Sequence, residues 1–595
     1  MKKNYLSTIT LSLIIISPAY AEQNVATSFS TRSISRNAAR DLAGWTNYIN
    51  KDSSPKTVYG ALSVTPEYSH TFNSSTITNT LFGDNLIHAN DTDFLKISGS
   101  QVTNRGPHDL LADYFYLPTD FESIVQFKPV IDNVIIDFGF YLGLDAWKKG
   151  MYFWLHAPFA HTRWDLNIEE HVINEGINNS AQGYYTPNAI PRNLLLDSFT
   201  NYANGITVPD IETVMFEELK FAKMSNKRLV RSRLAEIRTG FGWNFYAQQD
   251  YHGGFNLQLA APTGLRPAGE FLFEPLVGNG HFWELGFGTS GHYTFWRNEQ
   301  ETSHCSVYID VNITHLFKTR QTRVFDLKTG GTLSRYMLAM AMDSPAVNLQ
   351  GTTAIPTAQF NNDFIPVANI TKLKVDVSIA VQADIVLMLN ATVKDFSFDL
   401  GYNYWGRSSE NISLRLVESF TENRYVLKGD AHVFGFLPNT TTATTPAIAL
   451  SATQDNTTIH TGTNFSAPNP ATNPNIDFPQ LARTNPPSSI PVNLQSIQNS
   501  TAVSDRINTS VPPIFITMND LNLDGPQTRG SSSKLFTHIS YTWNDKVEWQ
   551  PYLGIGAEIE WGHHGSHNCN PCKNNAPQCS TSQWGIWIKT GATFN

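Results

Sequence analysis

Apolar and polar side chains alternate along most of this chain. In Lys374–Asn390, KVDVSIAVQADIVLMLN, the apolar places are Val375, Val377, Ile379, Val381, Ala383, Ile385, Leu387 and Leu389. Lys374, Asp376, Ser378, Gln382 and Asp384 stand between them. A period of two is the β signature, because successive strand side chains point to opposite faces. The same pattern runs through VIDNVIIDFGFYLGLDAW, RLAEIRTGFGWNFYA, HFWELGFGTSGHYTFW, SVYIDVNITH, FSFDLGYNYW, PYLGIGAEIEW and the closing SQWGIWIKTGATFN.

Three features of these segments predict a wall in a membrane rather than a soluble sandwich. Many reach the roughly ten residues that a tilted strand needs to cross lipid. Aromatics recur near their ends, at Tyr141, Trp147, Trp164, Trp243, Trp296, Tyr404, Trp405, Trp543, Trp561 and Trp584, as interfacial girdles do. The polar faces carry ionised groups that a dry sandwich interior rejects. The expectation is an all-β fold: a closed antiparallel transmembrane β-barrel of about 14 to 16 strands with long extracellular loops.

Composition fits. Charged residues are 16% and aromatics 12% of 595 residues. No stretch is long and apolar enough to cross as a helix, so a membrane role must use strands. Lys2 and Lys3, a short apolar run and Ala19-Tyr20-Ala21 read as a signal peptide over residues 1–21, cleaved after Ala21. Its removal takes two of the 42 basic residues and none of the 51 acidic ones, leaving 40 against 51. An acidic exported chain is a poor partner for nucleic acid.

Residues 22–56 form an N-terminal segment in which Ile34, Ala38, Leu42 and Trp45 have helical spacing. A short periplasmic or lumen-occluding helix and an unstructured leader both fit. The barrel is expected over 57–595. It includes a Thr-, Asn- and Pro-rich surface loop at about 437–512, whose composition cannot offset its ordering entropy. A second excursion, 170–226, contains IETVMFEELKFAKM, which suits a helical turn or two.

The inward faces carry the functional signal. Glu67, Asp137, Asp145, Glu236, Glu284, Asp310, Asp376, Asp384, Asp399, Asp430, Glu558 and Glu560 are assigned to the lumen, against Arg238, Lys374, Lys428 and Lys589. Rings of carboxylates favour cations, so these residues predict a weakly cation-preferring pore lining. Gly286-x-Gly288-x-x-Gly291 matches a dinucleotide fingerprint. It lies within an alternating strand, which favours inward glycines that leave space.

His563, His564, His567, Cys569, Cys572 and Cys579 crowd one stretch, with Cys305 far away in sequence. In an oxidising compartment, disulfides among Cys305, Cys569, Cys572 and Cys579 are the first expectation, and a zinc site is the alternative. No G-x-S-x-G elbow and no H-E-x-x-H is present, so neither enzyme activity nor a cofactor is expected.

With its A-x-A signal, its repeated amphipathic strands and the final QWGIWIKTGATF, the chain resembles outer-membrane porins of the "major outer membrane protein" families. The resemblance implies a bacterial outer-membrane pore for small hydrophilic solutes and ions. It also implies the lipid bilayer and the outer-membrane assembly machinery as partners, with homo-oligomerisation open. APTGLRPAGEFLFEPLVGNGHFWELG is similar to barrels of the hydrophobic-compound transporter type. A selective transporter with a plugged lumen, a structural or adhesive surface protein and a soluble secreted β protein are the competing readings.

Overall fold

The computed structural model describes residues 24–44, 59–89, 92–103, 105–179, 190–208, 214–342, 360–415, 424–428, 433–435, 448–450, 457–460, 515–544, 549–563 and 576–594. The expected signal peptide and its cleavage point fall outside them.

Twelve antiparallel strands close into a barrel: β1 (Gly60–Thr71), β2 (Val130–Gly143), β3 (Met151–Asp165), β4 (Ile237–Ala247), β5 (Tyr251–Ala261), β6 (Glu284–Arg297), β7 (Ser303–Arg323), β8 (Leu373–Val393), β9 (Phe396–Arg407), β10 (Gly530–Thr542), β11 (Trp549–Gly562) and β12 (Gln583–Phe594). Each pairs with its sequence neighbour. The ring shuts where β1 pairs with β12, Gly60 opposite Phe594 and Thr71 opposite Gln583. No edge is left open, as lipid requires. The count is twelve rather than the fourteen to sixteen expected, because other strand-like stretches build a separate layer outside the wall.

The outward faces are apolar. Leu257, Leu400 and Ile555 are each 58–59% exposed, although they are large and greasy. Tyr246, Tyr251, Tyr293, Trp296, Trp543 and Trp549 stand outward at one end of the barrel, and Trp283, Trp561 and Trp584 at the other. An exposed apolar belt between two aromatic girdles is the surface a transmembrane barrel presents to hydrocarbon. The protein is a β-barrel of the bacterial outer membrane. Three of the aromatics assigned to girdles turn inward: Tyr141, Trp164 and Trp405 are all buried.

The two ends differ. Five connections are short, the tightest being Lys394–Asp395, where Lys394 takes φ 57°. Both ends of the strand array lie on that side. The six connections at the other end are long, up to residues 408–529. Short turns face the periplasm in such barrels and long loops face outward.

The long connections fold together into a cap. One sheet joins Ile87–Ala89, Thr92–Ser98, Leu110–Leu111, Glu122–Phe127 and Ile168–Asn174. Another joins Met215–Phe216, Leu338–Met342, Phe360–Pro366 and Tyr425–Leu427. Their shared core includes Phe82 stacked on Phe127 at 4.3 Å and Phe115 edge-on to Phe199 at 4.9 Å. Among the described residues of 214–224 there is no helix; Met215–Phe216 is a strand of this cap. Most of the expected 437–512 loop lies outside the described residues, but Ile459 is buried in the cap core.

The stretch Lys374–Asn390 serves both layers. Val375, Val377 and Ile379 are fully buried in the cap core, whereas Val381, Ile385, Leu387 and Leu389 face lipid. The single lipid face expected for this strand is therefore corrected. Between Leu316 and Thr319, and between Leu316 and Thr314, the β7–β8 register slips. The slip lets Ala380 and Val381 follow one another on the outside, which swaps the faces of the strand.

Candidate functional site: the filled lumen

The barrel interior is occupied by the chain's own N-terminal segment. Residues 24–44 run from the cap, through the lumen, toward the short-turn end. At the cap end Val25, Ala26 and Phe29 join the apolar core, with Phe29 against Trp164 and Phe273 at 5.9 and 5.6 Å. Arg323 binds the Ser28 hydroxyl, and Arg407 Nη2 donates to the Ser30 carbonyl at 3.0 Å.

Further along lies a short helix, α1 (Ala38–Leu42). Asn37 caps it, its side-chain oxygen accepting from the Arg40 amide at 3.2 Å. It ends at Gly44, whose φ of +72° favours glycine. Lys589 reaches from β12 and donates to the carbonyls of Arg40, Asp41 and Ala43 at 2.9, 3.2 and 2.6 Å. A cation on the last carbonyls of a helix is favourable, because those groups lack intrahelical donors. The Gly44 amide donates to Asp399 Oδ2 at 2.8 Å.

Arginines at 32, 36 and 40 recur every four residues along this segment. Each meets wall carboxylates. Arg32 Nη2 sits 2.8 Å from Asp384 Oδ2, with Nη1 3.6 Å from Glu560. Arg36 Nη1 is 3.0 Å from Glu284 Oε2, and its Nε is 3.6 Å from Asp384. Arg40 bonds Glu67, and its Nη2 lies 3.2 Å from Asp137 Oδ2. Neutral groups complete the seam. Ser33 and Ser35 donate to Glu236 at 2.9–3.0 Å, and Asn37 Nδ2 donates to Glu558 at 2.9 Å. Lys534 neutralises Glu558 at 2.6 Å and Glu560 at 3.4 Å. Arg238 reaches Asp41 of α1 at 3.1 Å.

The structure thus gathers Asp137, Glu236, Arg238, Glu284, Asp310, Asp384, Asp399, Glu558, Glu560 and Lys589 around the lumen. All but Asp310 touch the N-terminal segment or a neighbour that does. Four assignments are corrected. Lys374 is exposed on the outer face, where β8 rises beyond the register slip, and Asp376 beside it lies 3.9 Å from Arg415. Asp145 sits in a short turn and accepts from the Gly150 amide at 2.9 Å. Lys428 is buried in the cap. Asp430 lies outside the described residues. Lys534, Asn37 and the three arginines were not singled out from sequence, although the spacing of Arg32, Arg36 and Arg40 was there to be read.

Asp41, Asp137 and His156 bring three ligand-type atoms within 4.8 Å of one another. Their charge is already met by Arg40, Arg238 and the His156–Asp137 contact at 2.8 Å. Toward the short-turn mouth, Tyr59, Tyr141, Tyr152 and Tyr552 form one cluster, with Tyr141 stacked on Tyr152 at 5.6 Å. Gly240 and Gly242 seat the inner aromatics, since a Cβ there falls 2.3 Å from the Trp154 ring and 2.2 Å from the Tyr152 ring. Between α1 and this side of the wall lies a cavity of about 100 Å³.

Gly286 and Gly288 lie within β6, so the glycine pattern is part of the wall and opens no helix. A Cβ at Gly288 meets Gln258 at 2.5 Å. Cys305 starts β7 at the short-turn end, whereas Cys579 is buried at the cap end, so these two do not pair. Cys569 and Cys572 lie outside the described residues.

No protein-family model and no curated protein sequence matches the chain. Solved structures similar to it are outer-membrane barrels. An outer-membrane channel from Pseudomonas putida F1 is 8% identical, with a TM-score of 0.30 over 90% of this chain and 96% of that one. A Pseudomonas aeruginosa FadL homologue is 8% identical, with a TM-score of 0.25 over 96% and 99%. The Pseudomonas putida toluene transporter TodX is 7% identical, with a TM-score of 0.28 over 96% of each chain. The likeness is one of architecture, and the strand pairing above establishes that architecture independently.

Proposed function

We propose that the protein is an outer-membrane channel closed at rest by its own N-terminal segment, and opened when that segment leaves the lumen. It is a selective conduit for small solutes rather than a permanently open, weakly cation-preferring pore. One observation carries this reading: Arg32, Arg36 and Arg40 bind carboxylates on β1, β2, β6, β8 and β11. The charges that would give an open pore its cation preference are spent on holding the segment.

Two properties favour a removable plug over a permanent core. Beside the apolar contacts of Val25, Ala26 and Phe29 with the cap and of Ala38, Ala39, Leu42 and Ala43 with the wall, the interface is made of ion pairs and hydrogen bonds, which exchange for water once water enters. The segment is also short and continuous, so it can leave without disturbing a strand. A route for hydrophobic compounds, the cargo named for the toluene transporter, needs an apolar path. The largest apolar core lies in the cap, and the lumen adds a smaller apolar lining in which Tyr308, Val386, Met388, Phe536 and Trp587 pack on α1, so a hydrophobic route is the competing reading.

Single-channel recording in planar bilayers tests the reading. The full chain is expected to show rare, brief openings. A variant lacking residues 24–44 should show steady conductance that prefers cations, because the wall acids then face electrolyte. Equal conductance from both proteins rejects the plug.

A further inference from the structure

We propose that the lumen cavity beside α1 is a binding site for a small organic monocation of the alkylammonium type, held by Asp310. The inference rests on the channel reading only in placing this site on the solute's route.

The argument starts from charge accounting among the described residues. Asp137, Glu284, Asp384, Glu558, Glu560 and Glu67 each have an arginine or lysine within 4.0 Å, and Asp399 has His538 at 3.3 Å. Glu236 has no such ion pair but receives the Ser33 and Ser35 hydroxyls. Asp310 has neither an ion pair nor a hydrogen bond from the N-terminal segment. Its one side-chain hydrogen bond comes from Asn312 Nδ2 at 2.8 Å. A carboxylate enclosed in this way takes up a proton or draws a compensating positive charge.

The surroundings specify what kind of cation fits. Asp310 lines the cavity together with Asn256, Gln258 and Asn312, amides that are already linked to one another. Asn256 is tied in turn to the Tyr152 hydroxyl at 3.3 Å. Tyr152 and Trp154 supply aromatic wall, and an aromatic face attracts a cation that has been stripped of water. About 100 Å³ suits a solute of a few heavy atoms. Arg36, Arg40, Arg238 and Lys589 also border the cavity; the arginines are engaged by acids, and Lys589 donates to the carbonyls of Arg40, Asp41 and Ala43. A small anion would find each bordering cation already bonded to acids or carbonyls, and would face Asp310.

Isothermal titration calorimetry on the full chain in detergent tests this with three probes of equal size: propylammonium, propanol and propionate. Propylammonium is expected to bind saturably, propanol and propionate not. Potassium at the same concentration should compete weakly, because it gains little from an aliphatic–aromatic contact. Asp310→Asn should weaken propylammonium at least tenfold, while Asp376→Asn, on the outer face, should leave it unchanged. Should Asp310→Asn misfold, the three-probe ranking on the unaltered chain still decides. Propionate binding as well as propylammonium, potassium displacing it at equal concentration, or no binding at all overturns the site. The outcome separates from the plug reading: loss of the site leaves the conductance of the 24–44 deletion where it was, and a failed deletion experiment leaves the calorimetry standing.

Discussion

Arg36 Nη1 lies 3.0 Å from Glu284 Oε2, and this pair joins the N-terminal segment to β6 across the buried lumen. The same guanidinium leans on Asp384 of β8 at 3.6 Å and donates to the Thr314 hydroxyl of β7 at 3.2 Å. One side chain thus ties three wall strands to the plug. Removing one member of a buried pair leaves the other charge uncompensated, at a cost of about 3–5 kcal/mol. Arg36→Ala should therefore loosen the plug and raise the fraction of time the channel conducts, read in planar bilayers. Arg36→Lys keeps the charge but loses the forked geometry and should fall between the two. An Arg36→Ala channel as quiet as the unaltered one contradicts the role assigned to this pair.

The wall strands make a prediction about which face is wet. Leu387 is half exposed on the lipid face, and Asp384, three residues earlier, is fully buried against Arg32. Leu387→Arg should destabilise the barrel in lipid by about 2–4 kcal/mol, measured by reversible urea unfolding into vesicles. Lys374→Leu, on exposed surface above the register slip, should change stability by less than about 0.5 kcal/mol.

Val377 tests the slip itself. It lies in the cap core at 0% exposure, whereas Val381 is 48% exposed. Val377→Asp should disrupt the cap and speed its proteolysis in whole cells. Val381→Asp should instead impair barrel insertion and spare the cap. The opposite assignment of the two effects contradicts the face swap.

His460 gives the cap a pH dependence. Its Nε2 sits 2.9 Å from Asn85 Oδ1, and burial pushes its pKa down to about 4 from 6.5. Between those values the unfolded chain takes up a proton that the folded cap refuses, so cap stability falls as pH drops from about 6.5 to about 4. Hydrogen exchange of the peptide around residues 457–460 should accelerate across that window. His460→Gln should flatten the response.

Cys579 offers a chemical check on the same layer. Burial raises its thiol to about 11, so little thiolate exists at pH 8 and the group is shielded. Iodoacetamide should leave Cys579 unmodified in folded protein and label it quickly in urea.

Much of the barrel was legible because its rule is local. Alternation at Val134, Ile136 and Phe138, or at Ile555 and Ile559, is fixed by the pleat and by lipid. The lumen acids followed from the same parity. The cap was harder to see. Leu338–Met342 and Val375–Ile379 alternate or run apolar as wall strands do, and only their long-range pairings, with Phe360–Pro366 and Glu410–Leu414, place them in the cap core. Trp405 and Trp164 mimic girdle residues for the same reason. The plug was missed as a set of charges. Helical spacing at Ile34, Ala38 and Leu42 drew attention to the apolar side of the segment, whereas Arg32, Arg36 and Arg40 hold it in place. Their partners come from strands hundreds of residues away, which no local period encodes.

The occupied lumen is tested most directly by cross-linking Asn37 to Glu558, which hydrogen-bond at 2.9 Å across the barrel. Asn37→Cys and Glu558→Cys would be combined in a chain whose native cysteines are serines, and treated in intact cells with a short bis-methanethiosulfonate reagent. A reductant-sensitive link between the residue 37 and residue 558 peptides is the predicted result. Two thiols that each react singly and never join would mean an open, electrolyte-filled lumen, and would contradict the plug.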